Sequence, residues 1–253
     1  MNDKTQRYFL ELSYKGSPFH GWQVQQNAFT VQECIEKALS TYFRTPISIL
    51  GSGRTDTGVH AQLQVCHFDL EDMELGENFL KALNAILPKE IGIHAVRKVK
   101  PEAHARFNAR KRSYFYRINF SKNPFLKDLS WQLFQQPDVN AMNEAAKILL
   151  EYEDFECFSK INTEVKHFRC TIYAAYWEPK GEELLFHITA NRFLRGMVRS
   201  IVGTLLDVGF GHRPVEDLHQ IIASRDRNQA GKAAPAKGLF LSNIEYPTHI
   251  YLD

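Results

Sequence analysis

Two hydrophobic periods alternate along this chain, and their alternation is the feature that most constrains its fold. Tyr8, Leu10, Leu12 and Tyr14 alternate with Phe9, Glu11 and Ser13, which is the two-residue period of a strand with one buried face. Thr30 and Glu33 then form a T-x-x-E helix start ahead of apolar residues at helical spacing, and Pro46 predicts the end of that helix. The fold must therefore accommodate strands and helices in close succession.

The alternation continues along the rest of the chain. Short strands are predicted over residues 47–50 and 59–65, on either side of the loop GSGRTDTG, and a short helix is predicted to end at Pro88. The later elements are the strands VRKVK and RSYFYRINF, a helix over residues 138–150, a hairpin over residues 171–190, and a helix beginning near Phe193. This mixture, with its hairpin-like connections, predicts an α+β fold with a largely antiparallel central sheet flanked by helices.

The second half of the chain repeats the coarse order of strands and helices found in the first half. We therefore divide the chain into an N-terminal half, residues 1–103, and a C-terminal half, residues 104–253. The segment NQAGKAAPAKG, residues 228–238, is rich in small residues and lysine. It is expected to be mobile or to become ordered only when a ligand binds.

Composition limits the class of protein. Hydrophobic residues make up 44% of the 253, yet no apolar run approaches the length of a membrane span. The first residues lead into a strand without the pattern of a signal peptide, so a cytoplasmic protein is expected. Four cysteines lie far apart without a C-x-x-C pair, which favours reduced thiols over a zinc ribbon or a redox motif.

The net charge is only +2, but the charges are unevenly distributed. Eight Lys or Arg residues and a single acid, Glu102, lie between Arg97 and Arg117. A second basic cluster of Arg192, Arg195 and Arg199 follows an i, i+3, i+7 spacing beside an apolar stripe, which suits the wall of a cleft as well as an ordinary solvated helix face. The uneven charge favours a polyanionic partner.

The loop at residues 51–58, GSGRTDTG, is the most informative local pattern. It lacks the GK[ST] of a phosphate-binding loop, and a strand follows it where such a loop would need a helix. A dinucleotide-binding glycine pattern fails because Asp56 occupies the position of its third glycine. A carboxylate beside Arg54 at a tight connection remains, and Asp56 is either a functional group or a simple turn cap.

Several long motifs then resemble the TruA family of tRNA pseudouridine synthases, in the same order and over nearly the whole chain. These motifs are YKGSPFHGWQVQ at 14–25, GRTDTGVHA at 53–61, HARFN at 104–108, Tyr114 in SYFYRI, NRFLRGMVRSIVG at 191–203 and GLFL at 238–241. The resemblance implies a pseudouridine synthase fold, with two similar halves around a basic cleft. It also implies that Asp56 is the catalytic carboxylate, acting either as a nucleophile or as a base.

The resemblance also assigns roles to other residues. Arg199 matches the arginine that pairs with the catalytic aspartate, and Tyr114 matches the active-site tyrosine that stacks on the target base and assists proton transfer. Without the resemblance, Tyr114 would be interpreted as a core residue of its strand. Basic residues are expected to contact the RNA, mainly its phosphates: Arg54, Arg106, Arg110, Lys111, Arg112 and Arg195. His60 and His67 are expected to be structural, since their seven-residue spacing on a strand suits a metal poorly.

The activity that the resemblance implies is isomerisation of uridine at tRNA positions 38, 39 and 40, in the anticodon stem-loop, by a homodimer without metal or organic cofactor. Two residues depart from the family pattern, because Lys15 stands where Asp is usual and Thr57 where Ala is usual. They affect the expected choice of substrate more than the expected reaction. The alternatives are a pseudouridine synthase acting on another RNA and a non-catalytic RNA-binding module.

Overall fold

The computed structural model describes residues 5–71, 73–161 and 165–252 of the chain. It divides into two compact units, one formed by Met1–Arg110 with Leu241–Asp253 and the other by Lys111–Phe240. Over the described ranges, no helix has both the length and the apolar character needed to cross a membrane.

The sheet of the first unit is built around its N-terminal strand. The strands are β1 (Thr5–Tyr14), β2 (Leu50–Gly51), β3 (His60–Glu71), β4 (Ile91–Val99) and, from Leu241 onward, β9 (Leu239–Glu245). Strand β1 pairs antiparallel with both β3 and β4, β9 lies on the other side of β3, and β2 pairs antiparallel with β3. The face predicted for β1 is buried, and Phe9 on the opposite face is buried as well. The ring of Phe9 meets that of Tyr246, with centroids 5.1 Å apart, so the C-terminal segment covers the second face.

Helix α1 (Val31–Phe43) confirms the helix predicted from Thr30. The Thr30 side chain accepts a hydrogen bond from the backbone N–H of Glu33, and the helix ends before Pro46. The Glu33 carboxylate pairs with Lys37 one turn later, at 2.6 Å. Helix α2 (Phe79–Ile86) ends just before Pro88 as predicted, and it packs against β4.

The strand predicted over residues 47–50 is mostly wrong, because only Leu50–Gly51 pairs with β3. Ile47 and Ile49 are buried as the apolar pattern indicates. Their backbone N–H groups, however, donate to Ser40 Oγ at 2.9 Å and Glu36 Oε1 at 3.1 Å on helix α1. The extended segment is thus bonded to the helix instead of to the sheet.

The second unit contains an antiparallel arrangement of three longer strands. These strands are β5 (Lys111–Asn119), β7 (Ile172–Lys180) and β8 (Glu183–Ala190), with β8 between the other two. The short β6 (Trp131–Gln132) pairs parallel with β5. Strands β7 and β8 form the predicted hairpin. The helices are α3 (Val139–Ile148), α4 (Met197–Gly209) and α5 (Asp217–Ser224), and α3 packs against β7. Mostly antiparallel strands flanked by helices confirm the predicted fold class.

Candidate active site

The loop that carries Asp56 joins β2 to β3 and is fixed at its start by buried polar contacts. The Ser52 N–H donates to Val65 O at 2.8 Å, and the Ser52 hydroxyl donates to Gln64 Oε1. The amide of Gln64 donates in turn to Gly53 O at 3.2 Å. Gln64 is fully buried. A buried amide that satisfies its polar neighbours in this way fixes the loop to the sheet, because any movement would leave polar atoms unsatisfied.

Thr55, directly before Asp56, is anchored from two sides. Its hydroxyl shares a hydrogen bond of 2.8 Å with the hydroxyl of Tyr14 on β1, and both side chains are buried. Its carbonyl accepts the N–H of Trp22 at 3.2 Å. Trp22 is 2% exposed, and its ring packs against Gly51, where an added Cβ would lie 2.6 Å from it. Trp22 therefore anchors the core of this loop.

Asp56 is half-buried and begins a tight turn, since the N–H of Val59 donates to its carbonyl at 3.1 Å. Gly58 within this turn has φ +78°, a conformation that favours glycine. Thr57 is exposed at the tip, and Arg54 on the other side of Thr55 is also exposed. The loop thus holds a half-buried carboxylate on a backbone that is anchored at Ser52, Gly53 and Thr55.

In the second unit, Tyr114 lies near the start of β5, opposite Ile188 of β8. Its ring contacts Phe193 edge-on, with centroids 5.1 Å apart and an interplanar angle of 88°. Tyr116 and Ile118 share its face of the strand and are fully buried, whereas Tyr114 is only half-buried. Tyr114 is therefore less enclosed than the core residues that continue its pattern.

Arg199 lies in the first turn of α4, a helix in which every residue except Arg199 and Asp207 is buried. The Arg199 Nε donates to the carbonyl of Ala234 at 2.6 Å, and the Ala234 N–H donates to the Arg199 carbonyl at 3.0 Å. These two bonds fix the side chain and its backbone to the same residue. A guanidinium in such surroundings is oriented by the fold.

The predicted basic stripe on this helix is wrong, because α4 begins at Met197 and not near Phe193. Gly196, in a left-handed conformation with φ +74°, precedes the helix. Arg192 and Arg195 therefore lie in the irregular segment before it, and Arg195 is exposed. Leu194 is buried at helical spacing although it lies before the helix. The apolar pattern therefore predicted a helix that begins too early.

The segment at residues 228–238 is held by the protein's own contacts, contrary to the expectation that it is mobile or needs a ligand. The Gly231 N–H donates to the Thr204 hydroxyl at 2.8 Å, and the Tyr116 hydroxyl donates to the Pro235 carbonyl at 2.8 Å. Burial raises the pKa of Tyr116, so the phenol stays protonated and can donate this bond. At Gly203 the segment lies so close that an added Cβ would be 1.8 Å from Lys232 O.

The remaining basic residues with a predicted role lie on two segments. Arg106 and Arg110 are exposed residues of the first unit. Lys111 and Arg112 are half-buried at the start of β5 in the second unit. The Arg112 guanidinium donates to Asn191 O at 2.8 Å, and the Lys111 ammonium lies 5.6 Å from the centroid of Tyr173.

His60 and His67 have structural contacts. His60 Nδ1 accepts the N–H of Gly16 at 3.0 Å, and His67 Nδ1 accepts the N–H of Ala105 at 3.2 Å. Burial, followed by the charge of Arg7, lowers the pKa of His67 to about 4, so it is neutral at pH 7. Within residues 5–71, 73–161 and 165–252, no group of three His, Cys, Asp or Glu side chains is placed to bind a metal ion.

Sequence reasoning missed the residues that support the functional groups, namely Tyr14, Gln64 and Ala234. Gln64 gave no signal, because it stands between Leu63 and Val65 at a polar position of an alternating strand pattern. The sequence marks Tyr14 as a buried strand position and as the start of a family motif, but not as a support for the loop, and it gives no signal for Ala234.

Comparison with known proteins places this geometry in a family. A family model described as tRNA pseudouridine synthase matches residues 12–108 and 145–247, which include Asp56 and Arg199. The chain is 48% identical over 251 residues to tRNA pseudouridine synthase A of Bacteroides thetaiotaomicron, covering 98% of this chain and 93% of that protein. It is 47% identical over 249 residues to the enzyme of the same name from Bacteroides fragilis, covering 98% and 99%. The chain belongs to the tRNA pseudouridine synthase family, which confirms the resemblance found in its motifs.

Proposed function

We propose that this protein isomerises uridine to pseudouridine at positions 38, 39 and 40 of tRNA, with Asp56 as the catalytic carboxylate. One observation carries the proposal: in a member of this family, the signature loop holds Asp56 half-buried beside a buried Thr55, on a backbone fixed by Tyr14 and Gln64. A reacting group must be held by its surroundings if it is to act efficiently.

The reaction is an isomerisation, in which atoms and electrons balance within the substrate. The C1′–N1 bond breaks and its electron pair stays on N1, the uracil turns over, and C5 forms a new bond to C1′. C5 then loses its proton while N1 gains one. No external electron acceptor takes part. Asp56 assists either by attacking the sugar or by removing a proton from it, and both roles remain in the proposal.

Arg199 and Tyr114 are proposed to complete the chemistry. The Arg199 guanidinium pairs with the Asp56 carboxylate in this proposal, and its fixation by Ala234 supports a role that needs a defined orientation. Tyr114 stacks on the extruded uracil and assists the transfer of the C5 proton. Its partial exposure, on a strand face whose neighbouring positions are fully buried, supports this role.

The basic residues are proposed to bind the RNA backbone in a basic cleft, a feature implied by the family resemblance. The proposed contacts are Arg54, Arg106, Arg110, Lys111, Arg112 and Arg195. Such contacts would position the tRNA without reading its sequence. The exposed Arg54, Arg106, Arg110 and Arg195 can reach an external polyanion without prior rearrangement. Tight binding should therefore weaken steeply as salt increases.

We further propose that the N-terminal half supplies the catalytic loop, that the C-terminal half supplies Tyr114 and Arg199, and that the protein acts as a cytoplasmic homodimer. The chain mass is 29.2 kDa, so light scattering on a size-exclusion column would distinguish a dimer from a monomer. A mass equal to that of a single chain at micromolar concentration would contradict the dimer.

A tritium-release assay tests the catalytic proposal. Uridine in a tRNA transcript is labelled with tritium at C5, and each isomerisation releases the label to water. The Asp56→Asn variant keeps the size of the side chain but removes the carboxylate, and should abolish release while retaining tRNA affinity. The matched control, Thr57→Ala, changes the exposed neighbour to the residue usual in the family and should remain active.

Three outcomes would count against the proposal. Full activity of Asp56→Asn would exclude the carboxylate as a catalytic group. If this variant rescues cells lacking the protein as well as its parent does, a non-catalytic RNA-binding module would be favoured. Unchanged pseudouridine at positions 38 to 40 in tRNA from cells lacking the protein would favour a synthase that acts on another RNA.

A further inference from the structure

Phe107 is an exposed aromatic residue in a basic segment. Its relative exposure is 74%, on the loop at residues 103–110. The ring centroid lies 4.3 Å from that of His104 and 5.7 Å from the guanidinium carbon of Arg106. An apolar ring thus stands in solvent next to a cation.

The loop that presents this ring is firmly attached to the first unit. Ala103 and Ala105 are buried, and the Ala105 carbonyl accepts the Tyr246 hydroxyl at 2.5 Å. The Arg7 guanidinium donates to Ala103 O at 2.9 Å. Within the loop, the His104 N–H donates to Asn108 Oδ1 at 2.6 Å. After Phe107, the Arg110 N–H donates to Glu245 O at 2.8 Å, so the exposed ring stands on a backbone that is held before and after it.

A ring on such a backbone offers a flat surface at a reduced entropic cost, since the backbone has little freedom left to lose on binding. Single exposed apolar side chains are common and need no function. Phe107 differs in its neighbours, because Arg106 and Arg110 are exposed cations within three residues of it. A cation beside an exposed ring is the combination that binds unpaired nucleotides, through phosphate contacts and base stacking.

We propose that Phe107 stacks on an unpaired nucleobase of the bound RNA while Arg106 and Arg110 contact the neighbouring phosphates. This inference rests on the proposed function, since it requires RNA as the substrate. A phenyl ring has no hydrogen-bonding group, so the stack contributes affinity without selecting a particular base. The site therefore positions the tRNA and takes no part in the chemistry at Asp56.

Fluorescence anisotropy with an unmodified tRNA transcript measures the predicted contribution. Phe107→Ala should raise Kd about five- to 150-fold, the range that removal of a stacking partner gives. Phe107→Trp should bind as tightly as the parent, because it keeps a flat aromatic face. The matched control is Phe134→Ala, which removes a ring that is 93% exposed in a segment without flanking charges and should leave Kd unchanged.

A polyanion without bases separates stacking from charge. With long-chain inorganic polyphosphate as the probe, Phe107→Ala should bind like the parent, whereas Arg106→Gln should bind more weakly. On tRNA, Arg106→Gln should reduce the slope of log Kd against log salt by about one, and Phe107→Ala should leave the slope unchanged. Thermal unfolding of Phe107→Ala should match the parent, since the exposed ring buries little area.

The outcomes distinguish this inference from the proposed function. If the parent isomerises tRNA but Phe107→Ala binds it equally well, the stacking role is wrong and the proposed function stands. Equal losses in Phe107→Ala and Phe134→Ala, or weaker binding of Phe107→Ala to polyphosphate, would also overturn the stacking role. If the parent neither binds nor isomerises tRNA, both proposals fail together.

Discussion

The hydrogen bond between Tyr14 and Thr55 is expected to position Asp56 for turnover. Tyr14→Phe removes only the hydroxyl and leaves the Thr55 Oγ1 without this partner in a buried setting, where the two oxygens lie 2.8 Å apart. Such a loss costs about 1–3 kcal/mol of unfolding free energy. Because Thr55 directly precedes Asp56, the carboxylate should lose part of its alignment as well.

The size of the catalytic effect follows from the contacts that remain. A misplacement of about 1 Å costs about a hundredfold in rate. The bond from Trp22 to the Thr55 carbonyl and the turn from Asp56 to Val59 survive the substitution, so the displacement should be smaller. We therefore expect kcat to fall about tenfold, or about 1.4 kcal/mol, while KM for tRNA changes less than about twofold.

A double-mutant cycle, with turnover measured by tritium release, tests the positioning role of this hydrogen bond. Thr55→Val should resemble Tyr14→Phe, and the double variant should be little worse than either, with a coupling of about 1 kcal/mol. Thr55→Ser keeps the hydroxyl and should retain turnover. Tyr8→Phe removes a hydroxyl from the same strand, at the position paired with Phe68, and should leave kcat unchanged. Additive effects, or a change confined to KM, would refute a positioning role.

Three other substitutions probe the second unit and the packing below the basic loop. Gly203→Ala would place a Cβ 1.8 Å from Lys232 O and displace the 228–238 segment from α4. Chemical denaturation should show that the free energy of unfolding falls by about 1–3 kcal/mol. An unchanged denaturation midpoint would contradict the close packing. Arg199→Ala should reduce turnover more than tRNA affinity if the guanidinium orients Asp56, whereas a loss of affinity alone would exclude that role. The pKa of His67 is lowered from 6.5 to about 4 in the folded protein, so the unfolded chain takes up the proton first as the pH falls. The free energy of unfolding should therefore decrease by up to about 3 kcal/mol between pH 6.5 and pH 4. His67→Gln should flatten this part of the pH profile of unfolding, and an unaltered profile would exclude His67 as its source.

Local patterns predicted most elements because their causes are local. A capping Thr30, an apolar period and Pro46 together define α1, and the alternation on either side of Gly181 defines the β7–β8 hairpin. The start of α4 was misplaced because burial at Leu194 continues the helical period through a segment that is not helical. Apolar residues at helical spacing usually indicate a helix, but the pattern reports which residues are buried and not the backbone conformation itself.

The sequence by itself determined the family, through long motifs in a fixed order, and it singled out one carboxylate between glycines at a strand connection. Only the tertiary structure decided what holds that carboxylate in place. Tyr14 reaches Thr55 across 41 residues of chain, and Ala234 reaches Arg199 across 35. Contacts of this kind depend on strand register and on how segments pack against helices. They are set by the burial of many side chains at once, which no local period encodes.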